Sequence, residues 1–281
     1  MGARTLRYTH ALALASIGLI AGIFLEGNKV AGAITSGIVY TTNREFTLGV
    51  TLSTFIIMAF LTYRKLPISL SQVAVGATLG AAFAQGINVR FGFTLLVVSS
   101  WLLTPLAGLL ISFALSMITK HASSRMRRVL SMNLLYGYLA IISGVYGAYV
   151  LGANTVGLIV GMIGALKSQY PPISLGFGLA TILGMVFLSK GTTRSVAENI
   201  VGMSPSASFA AQMGGAITVH SFTQFGIPVS LSQAVIGGVF GAAIPRNIVV
   251  RNDRLTKEII LGWTVAPLVG AILAYLFASI V

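Results

Sequence analysis

Long apolar stretches joined by short polar connectors run through the whole chain. A helix needs about 20 apolar residues to cross the hydrocarbon core of a bilayer. The stretches 46–63, 93–118, 130–151, 172–189, 206–225 and 259–280 are long enough or nearly so. They are unbroken, whereas the strands of a membrane barrel would alternate polar and apolar positions over about ten residues. The pattern predicts an all-α polytopic membrane protein, because a helix satisfies its own backbone hydrogen bonds where no water is present.

Four segments depart from this plain pattern. The run 10–25 is short, meets Glu26-Gly27-Asn28-Lys29 and resumes over 30–40. The run 130–151 meets Gly152-Ala153-Asn154-Thr155 and resumes to about residue 166. Residues 67–86 and 228–245 are apolar, but each opens with Pro and carries internal Gly. The first pair is expected to be broken helices and the second pair re-entrant hairpins.

Composition narrows the class. Of 281 residues, 56% are hydrophobic and only 8% charged, with a mean hydropathy of +0.91. Soluble domains carry about 25% charged residues, so an ordinary soluble enzyme is excluded, as is a disordered chain. The absence of cysteine excludes a disulfide scaffold and thiolate metal sites. The net charge of +13 would suggest nucleic acid in a soluble protein. Here the basic residues sit in connectors between apolar runs, which reads as membrane topology. No nucleic-acid partner is expected.

An internal repeat organises the chain. Residues 67–82 read PISLSQVAVGATLGAA and residues 228–243 read PVSLSQAVIGGVFGAA, identical at 9 of 16 positions with an offset of 161. A similar Trp–Pro segment follows each copy, Trp101 to Gly108 and Trp263 to Gly270, at an offset of 162. A Gly–Asn or Ala–Asn element precedes each. The expected organisation is a first repeat over 1–119, a basic cytoplasmic connector over 120–128 and a second repeat over 129–281. Duplicated halves with interrupted helices are characteristic of secondary transporters. A helix interrupted at membrane depth exposes N–H donors and a positive dipole end, which suit an anion.

These residues resemble the inorganic phosphate transporter (PiT) family, with this chain a divergent and shortened member. That family carries a Gly-Ala-Asn-Asp motif and a Pro-Val-Ser-Thr-Thr-His motif in each of two inverted halves. The second half of this chain is similar over Gly191 to Pro205, Ser208 to Gln212, Ala216 to Val219 and Gly226 to Ser230. The first half matches at 26–34, 65–86 and 98–112. It lacks one helix, since 39 positions separate Asn28 from Pro67 whereas 74 separate Asn154 from Pro228. The resemblance also makes the first apolar run, which could pass for a signal peptide, part of the mature fold.

The departures concern charge. The motif Asp is Lys29 in the first half and Thr155 in the second, and Thr-Thr-His is Leu-Ser-Gln in both hairpins. A position commonly Glu in the family is Gln212. The family's acidic positions are associated with coupling cations, usually sodium. Their loss predicts that sodium coupling is weakened or absent, with a proton as the expected coupling ion and Lys29 standing where a cation would bind.

The resemblance implies inorganic phosphate as substrate, with sulfate or another tetrahedral oxyanion as the alternative. The expected substrate contacts are Asn28, Lys29, Ser69, Ser71, Gln72, Asn154, Thr155, Ser230, Ser232 and Gln233, with Glu26 and Gln212 in coupling. Each has a blander reading. Asn28, Asn154 and the hairpin serines could cap helices, and Glu26 with Lys29 could be an interfacial pair. His10, His121 and His220 show no metal spacing, and His220 reads as a packed, hydrogen-bonded histidine. Arg194 with Glu198 reads as an interfacial pair, and Gly157-x-x-x-Gly161 as helix packing. No enzyme constellation, metal or cofactor is expected.

The acid-free connector 120–128 is placed in the cytoplasm. The first hairpin then opens outward and the second lies on the cytoplasmic side beside Arg246, Arg251, Arg254 and Lys257. Embedding in the lipid bilayer of the cell membrane is expected, with a homodimer possible. The remaining alternatives are a channel or a non-transporting sensor or partner subunit.

Overall fold

A computed structural model describes residues 7–40, 43–64, 68–125, 128–163, 171–199, 203–248 and 253–280, without the side chains of 192–199 and 253–256. Pro67, Arg127 and Arg251, and the side chains of Arg194, Glu198 and Arg254, lie outside the described set.

Eleven α-helices follow in chain order among the described residues. The first half holds α1 (Tyr8–Glu26), α2 (Asn28–Gly32), α3 (Arg44–Tyr63), α4 (Leu70–Ala84) and α5 (Phe91–Ser124). The second holds α6 (Val129–Leu151), α7 (Gly157–Met162), α8 (Pro171–Asn199), α9 (Pro205–Gln224), α10 (Leu231–Ala243) and α11 (Asp253–Ile280). Among the described residues, six helical stretches are long and apolar enough to cross a membrane: 8–26, 44–63, 91–124, 129–162, 171–191 and 257–280. The chain is a multi-pass membrane protein. One helix, α3, lies between the first Asn element and its hairpin; α8 and α9 lie between the second pair.

The expected helix breaks at Gly27 and Ala153 are not present. Gly27 keeps right-handed helical torsions (φ −59°, ψ −26°), and its N–H bonds to Ile23 O at 3.1 Å. The first arm instead widens into a π-helical turn at Ala33–Ile38, and the second at Gly152–Val156. No half-helix N-terminus is therefore freed at Asn28 or Asn154. The reason is packing. A Cβ at Gly22 would sit 1.9 Å from Tyr149 O, one at Gly157 would sit 2.7 Å from Gly27 Cα, and one at Gly161 2.2 Å from Ala31 O. The two arms lie backbone to backbone in the same direction, and that approach requires helices that continue through the motif.

The two repeat segments form short helices of 15 and 13 residues, about 23 and 20 Å long at 1.5 Å per residue. Neither reaches across a 30 Å hydrocarbon core. Each packs along the Trp–Pro helix of the other half. A Cβ at Gly76 would meet Pro267 O at 2.1 Å, and one at Gly80 Ala271 O at 1.9 Å. In the other pair a Cβ at Gly237 would meet Pro105 O, and one at Gly241 Leu109 O, both at 2.1 Å. The contacts of one pair are repeated at equivalent positions in the other.

The run 206–225, expected to span like the others, is α9. It is not among the six apolar stretches, and α5, α6 and α10 pack around it. Its sequence is rich in Ala, Gly, Ser and Thr, and eleven of its residues are buried. Small side chains let three neighbours close in, so α9 needs little apolar surface of its own. At the connector end, Arg246 donates to Ser116 Oγ and Thr119 Oγ1 (3.1 and 2.9 Å), and Lys120 donates to Pro245 O (2.5 Å). The ends of α5 and α10 are thereby tied together.

Candidate functional site

The site gathers around the turn between α9 and α10. Gly226 makes that turn with φ +69°, a conformation that suits glycine. Ser69 caps α4, its Oγ accepting from Gln72 N at 3.3 Å; Ser230 caps α10, accepting from Gln233 N at 3.2 Å. Serine is preferred there because its short side chain reaches back to the unpaired N–H groups of the first turn. Ser71 Oγ donates to Val229 O at 3.2 Å, so the start of one hairpin helix touches the approach to the other. Ser230 and Ser232 hydroxyls are 2.9 Å apart. Two helix N-termini with four serines thus converge at one place. Gln72 and Gln233 are buried beside them, and the side-chain oxygen of each lacks a hydrogen-bond partner.

Asn154 is fully buried and holds the turn. Its Nδ2 donates to Thr223 Oγ1 (2.9 Å) and Ile227 O (3.1 Å), and its Oδ1 accepts from Val229 N (3.1 Å). The widened turn at Gly152–Val156 carries the side chain toward α9. Thr155 is half-buried beside it. Asn28 is exposed. The structure therefore separates two residues that the sequence motif pairs.

The second part of the site is a polar cluster between the first arm, α6 and α9. Glu26 Oε1 accepts from Lys29 Nζ at 3.1 Å. Its Oε2 meets His220 Nε2 at 2.8 Å and accepts from Gln224 Nε2 at 3.0 Å. Lys29 also donates to Gln224 Oε1, and Tyr146 OH bonds to His220 Nδ1. With Glu26 ionised, and so acceptor only, His220 carries its proton on Nε2 and accepts from Tyr146 on Nδ1. The Tyr146 and Tyr149 rings flank the imidazole edge-on, with centroids 5.5 and 6.0 Å away. The cluster adjoins the hairpin tips through α9, since Thr223 and Gln224 are consecutive, and Lys29 O lies 3.0 Å from where a Cβ on Gly226 would stand.

The Glu26–Lys29 pair is therefore anchored by a third helix. His220, read from sequence as a packed, hydrogen-bonded histidine, has Glu26 as its partner; Tyr146, Thr223 and Gln224 were not anticipated at all. One signal was available: His220 and Gln224 are four residues apart on one helix face, and the carboxylate at Glu26 in an apolar run needed partners. Gln212 lies on the same helix two turns before His220, facing α6, where its Oε1 is 3.1 Å from a Cβ position on Gly144. No group of three or more metal-ligating side chains occurs among the described residues.

Known proteins share this fold and sequence. The Phosphate transporter family matches residues 1–274. A protein of Methanocaldococcus jannaschii that carries the name phosphate permease is 30% identical over 228 residues, covering 79% of this chain and 71% of its own. The sulfate permease of Bacillus subtilis is 25% identical over 280 residues, 97% of this chain and 77% of its own. A solved structure described as a sodium-dependent phosphate transporter superposes with a TM-score of 0.83, covering 99% of this chain and 91% of that one at 21% identity.

Proposed function

The chain belongs to the Phosphate transporter family, a transporter family rather than an enzyme family, and from that premise we propose a secondary permease that carries inorganic phosphate together with protons rather than sodium. The observation that carries this reading is the junction of the two Ser-capped helix N-termini with the Glu26–Lys29–His220 cluster. Helix N-termini and hydroxyls suit a tetrahedral oxyanion, and Lys29 adds a fixed positive charge. Ser69, Ser71, Ser230 and Ser232 are its proposed contacts, with Lys29 and Thr155 at the rim. Asn154 has its donors and acceptor engaged within the protein, so its proposed part is to hold the turn in shape.

Proton coupling rests on the Tyr146–His220–Glu26 chain. An imidazole between a phenol and a carboxylate can accept a proton on one ring nitrogen and release one from the other. Protonation of Glu26 would release Lys29 from its ion pair toward the anion. The site would alternate between membrane faces as the two halves move against each other. The second reading, sulfate, is favoured by the similarity to the Bacillus permease across nearly the whole chain.

The test is uptake of labelled phosphate into proteoliposomes with sulfate as competitor, under a pH gradient and separately under a sodium gradient. Uptake driven by pH and indifferent to sodium supports the proposal. A strict sodium requirement overturns the coupling ion, and uptake of sulfate alone changes the substrate. No uptake by folded protein assigns a sensor or partner-subunit role.

A further inference from the structure

We propose that the space enclosed by the two hairpin helices and the two Trp–Pro helices is a second binding site, for an uncharged amphiphile such as a long-chain alcohol dissolved in the membrane. It adjoins the anion site and shares Gln72 and Gln233 with its edge, where the expectation from sequence had them as substrate contacts; the proposal depends on neither the substrate nor the coupling ion.

The cavity measures about 910 Å³, ample for such a molecule. Among the described residues no charged one lines it, so a phosphate or sulfate ion would find no counter-charge there. Its wall is apolar apart from a few side chains, and the largest of these come in pairs, Gln72 with Gln233 and Trp101 with Trp263. The side-chain oxygens of both glutamines and the indole N–H groups of both tryptophans are buried without a hydrogen-bond partner. Buried polar groups in folded proteins are nearly always partnered, and here the lapse occurs twice at equivalent positions.

Register places the lapses together. Gly76 faces Pro267, and four residues earlier on each of those parallel helices stand Gln72 and Trp263. Gly237 faces Pro105, and four residues earlier stand Gln233 and Trp101. Each layer therefore holds one indole donor and one amide acceptor that do not bond to each other. A hydroxyl is both donor and acceptor: it could accept from the indole N–H and donate to the glutamine oxygen, with small rotations of the two side chains. The apolar body of the same molecule would fill the remaining volume. Entry is from the lipid side, because the wall continues into Leu102, Leu106, Ile260 and Leu268, which are 50–74% exposed on the apolar exterior.

Trp101 and Trp263 are the only tryptophans in the chain, so fluorescence excited selectively from tryptophan, apart from the tyrosines, reports on this cavity. The protein would be reconstituted in phosphatidylcholine vesicles and titrated with 11-bromo-1-undecanol, whose bromine quenches tryptophan on contact. The expected result is saturable quenching that unbrominated 1-undecanol reverses. The double variant Q72L/Q233L is expected to raise the half-quenching concentration at least fivefold. Val98→Phe narrows the cavity without touching a polar group and should weaken quenching as well, with circular dichroism checking the fold of both variants. Quenching that rises linearly with alcohol and is not displaced would overturn the proposal, since it reports contact with bulk lipid. So would absence of quenching alongside cross-linked dimers, since a second copy of the chain would then cover the face. An unchanged half-quenching concentration in folded Q72L/Q233L would overturn the hydroxyl bridge.

Discussion

Asn28 and Asn154 occupy matching places in the two halves yet sit in opposite surroundings. Both lie on long helices that touch backbone to backbone near Gly27 and Gly157. Asn154 is buried with three hydrogen bonds to α9 and the turn after it. Asn28 is exposed, and the charged side chains beside it, Glu26 and Lys29, make the contacts with α9 instead. The difference follows from geometry. The arms run in the same direction, so both motifs approach the same end of α9, and only one can reach inside the turn. The π-helical turn of the second arm begins at Gly152 and swings Asn154 inward; that of the first arm begins later, at Ala33, and leaves Asn28 on the outer side. A shared motif thus marks where two helices meet and does not assign the same task to both.

The comparison can be broken by substitution. Asn154→Ala should have the largest effect. It strands buried partners on three sides, at about 1–3 kcal/mol for each group left unsatisfied; a loss of about 3 kcal/mol or more in detergent unfolding, with uptake abolished, is expected. Glu26→Gln keeps the shape but removes the charge facing Lys29 and His220. Uptake driven by a pH gradient should fall about tenfold, equivalent to about 1.4 kcal/mol, with little change in melting temperature. If uptake in this variant were unchanged, the cluster would be structural. Ser69→Ala and Ser230→Ala each remove a helix cap and should cost about 1 kcal/mol, in similar measure because the two caps have the same geometry. Asn28→Ala should be the mildest, below about 0.5 kcal/mol in unfolding, with uptake within twofold of wild type. A large loss there would mean that the two asparagines share a role in a state other than the one described.

Much of the fold was legible in the chain. Apolar length located five of the six spanning stretches, and the first was seen as a short run. The repeated Ser-x-Ser-Gln located both hairpin helices and their caps, since serine ahead of an apolar helix performs its capping within three residues of itself. The candidate site was legible at Glu26, Lys29 and the serines, where a polar residue in an apolar run draws notice. His220 and Tyr146 were not, because they lie 194 and 120 positions from Glu26 and one histidine in a run of small residues has no local signature. The helix breaks were misread because Gly followed by Asn interrupts hydropathy without having to interrupt hydrogen bonding.

Sequence alone therefore determined the properties that act over one helix or one repeat: the membrane class, the capped hairpin helices, the duplication and the scarcity of carboxylates. The tertiary structure decided which residues became partners. Glycine contacts between carbonyl oxygens and neighbouring helices set the direction and register of each pair. That register alone brings His220 to Glu26 and Asn154 to the α9–α10 turn, and it leaves Gln72, Gln233, Trp101 and Trp263 lining one cavity with unpartnered polar atoms. Hydropathy and capping are summed over neighbours in the chain; pairing across the bundle depends on how closely backbones can approach, which no single segment records.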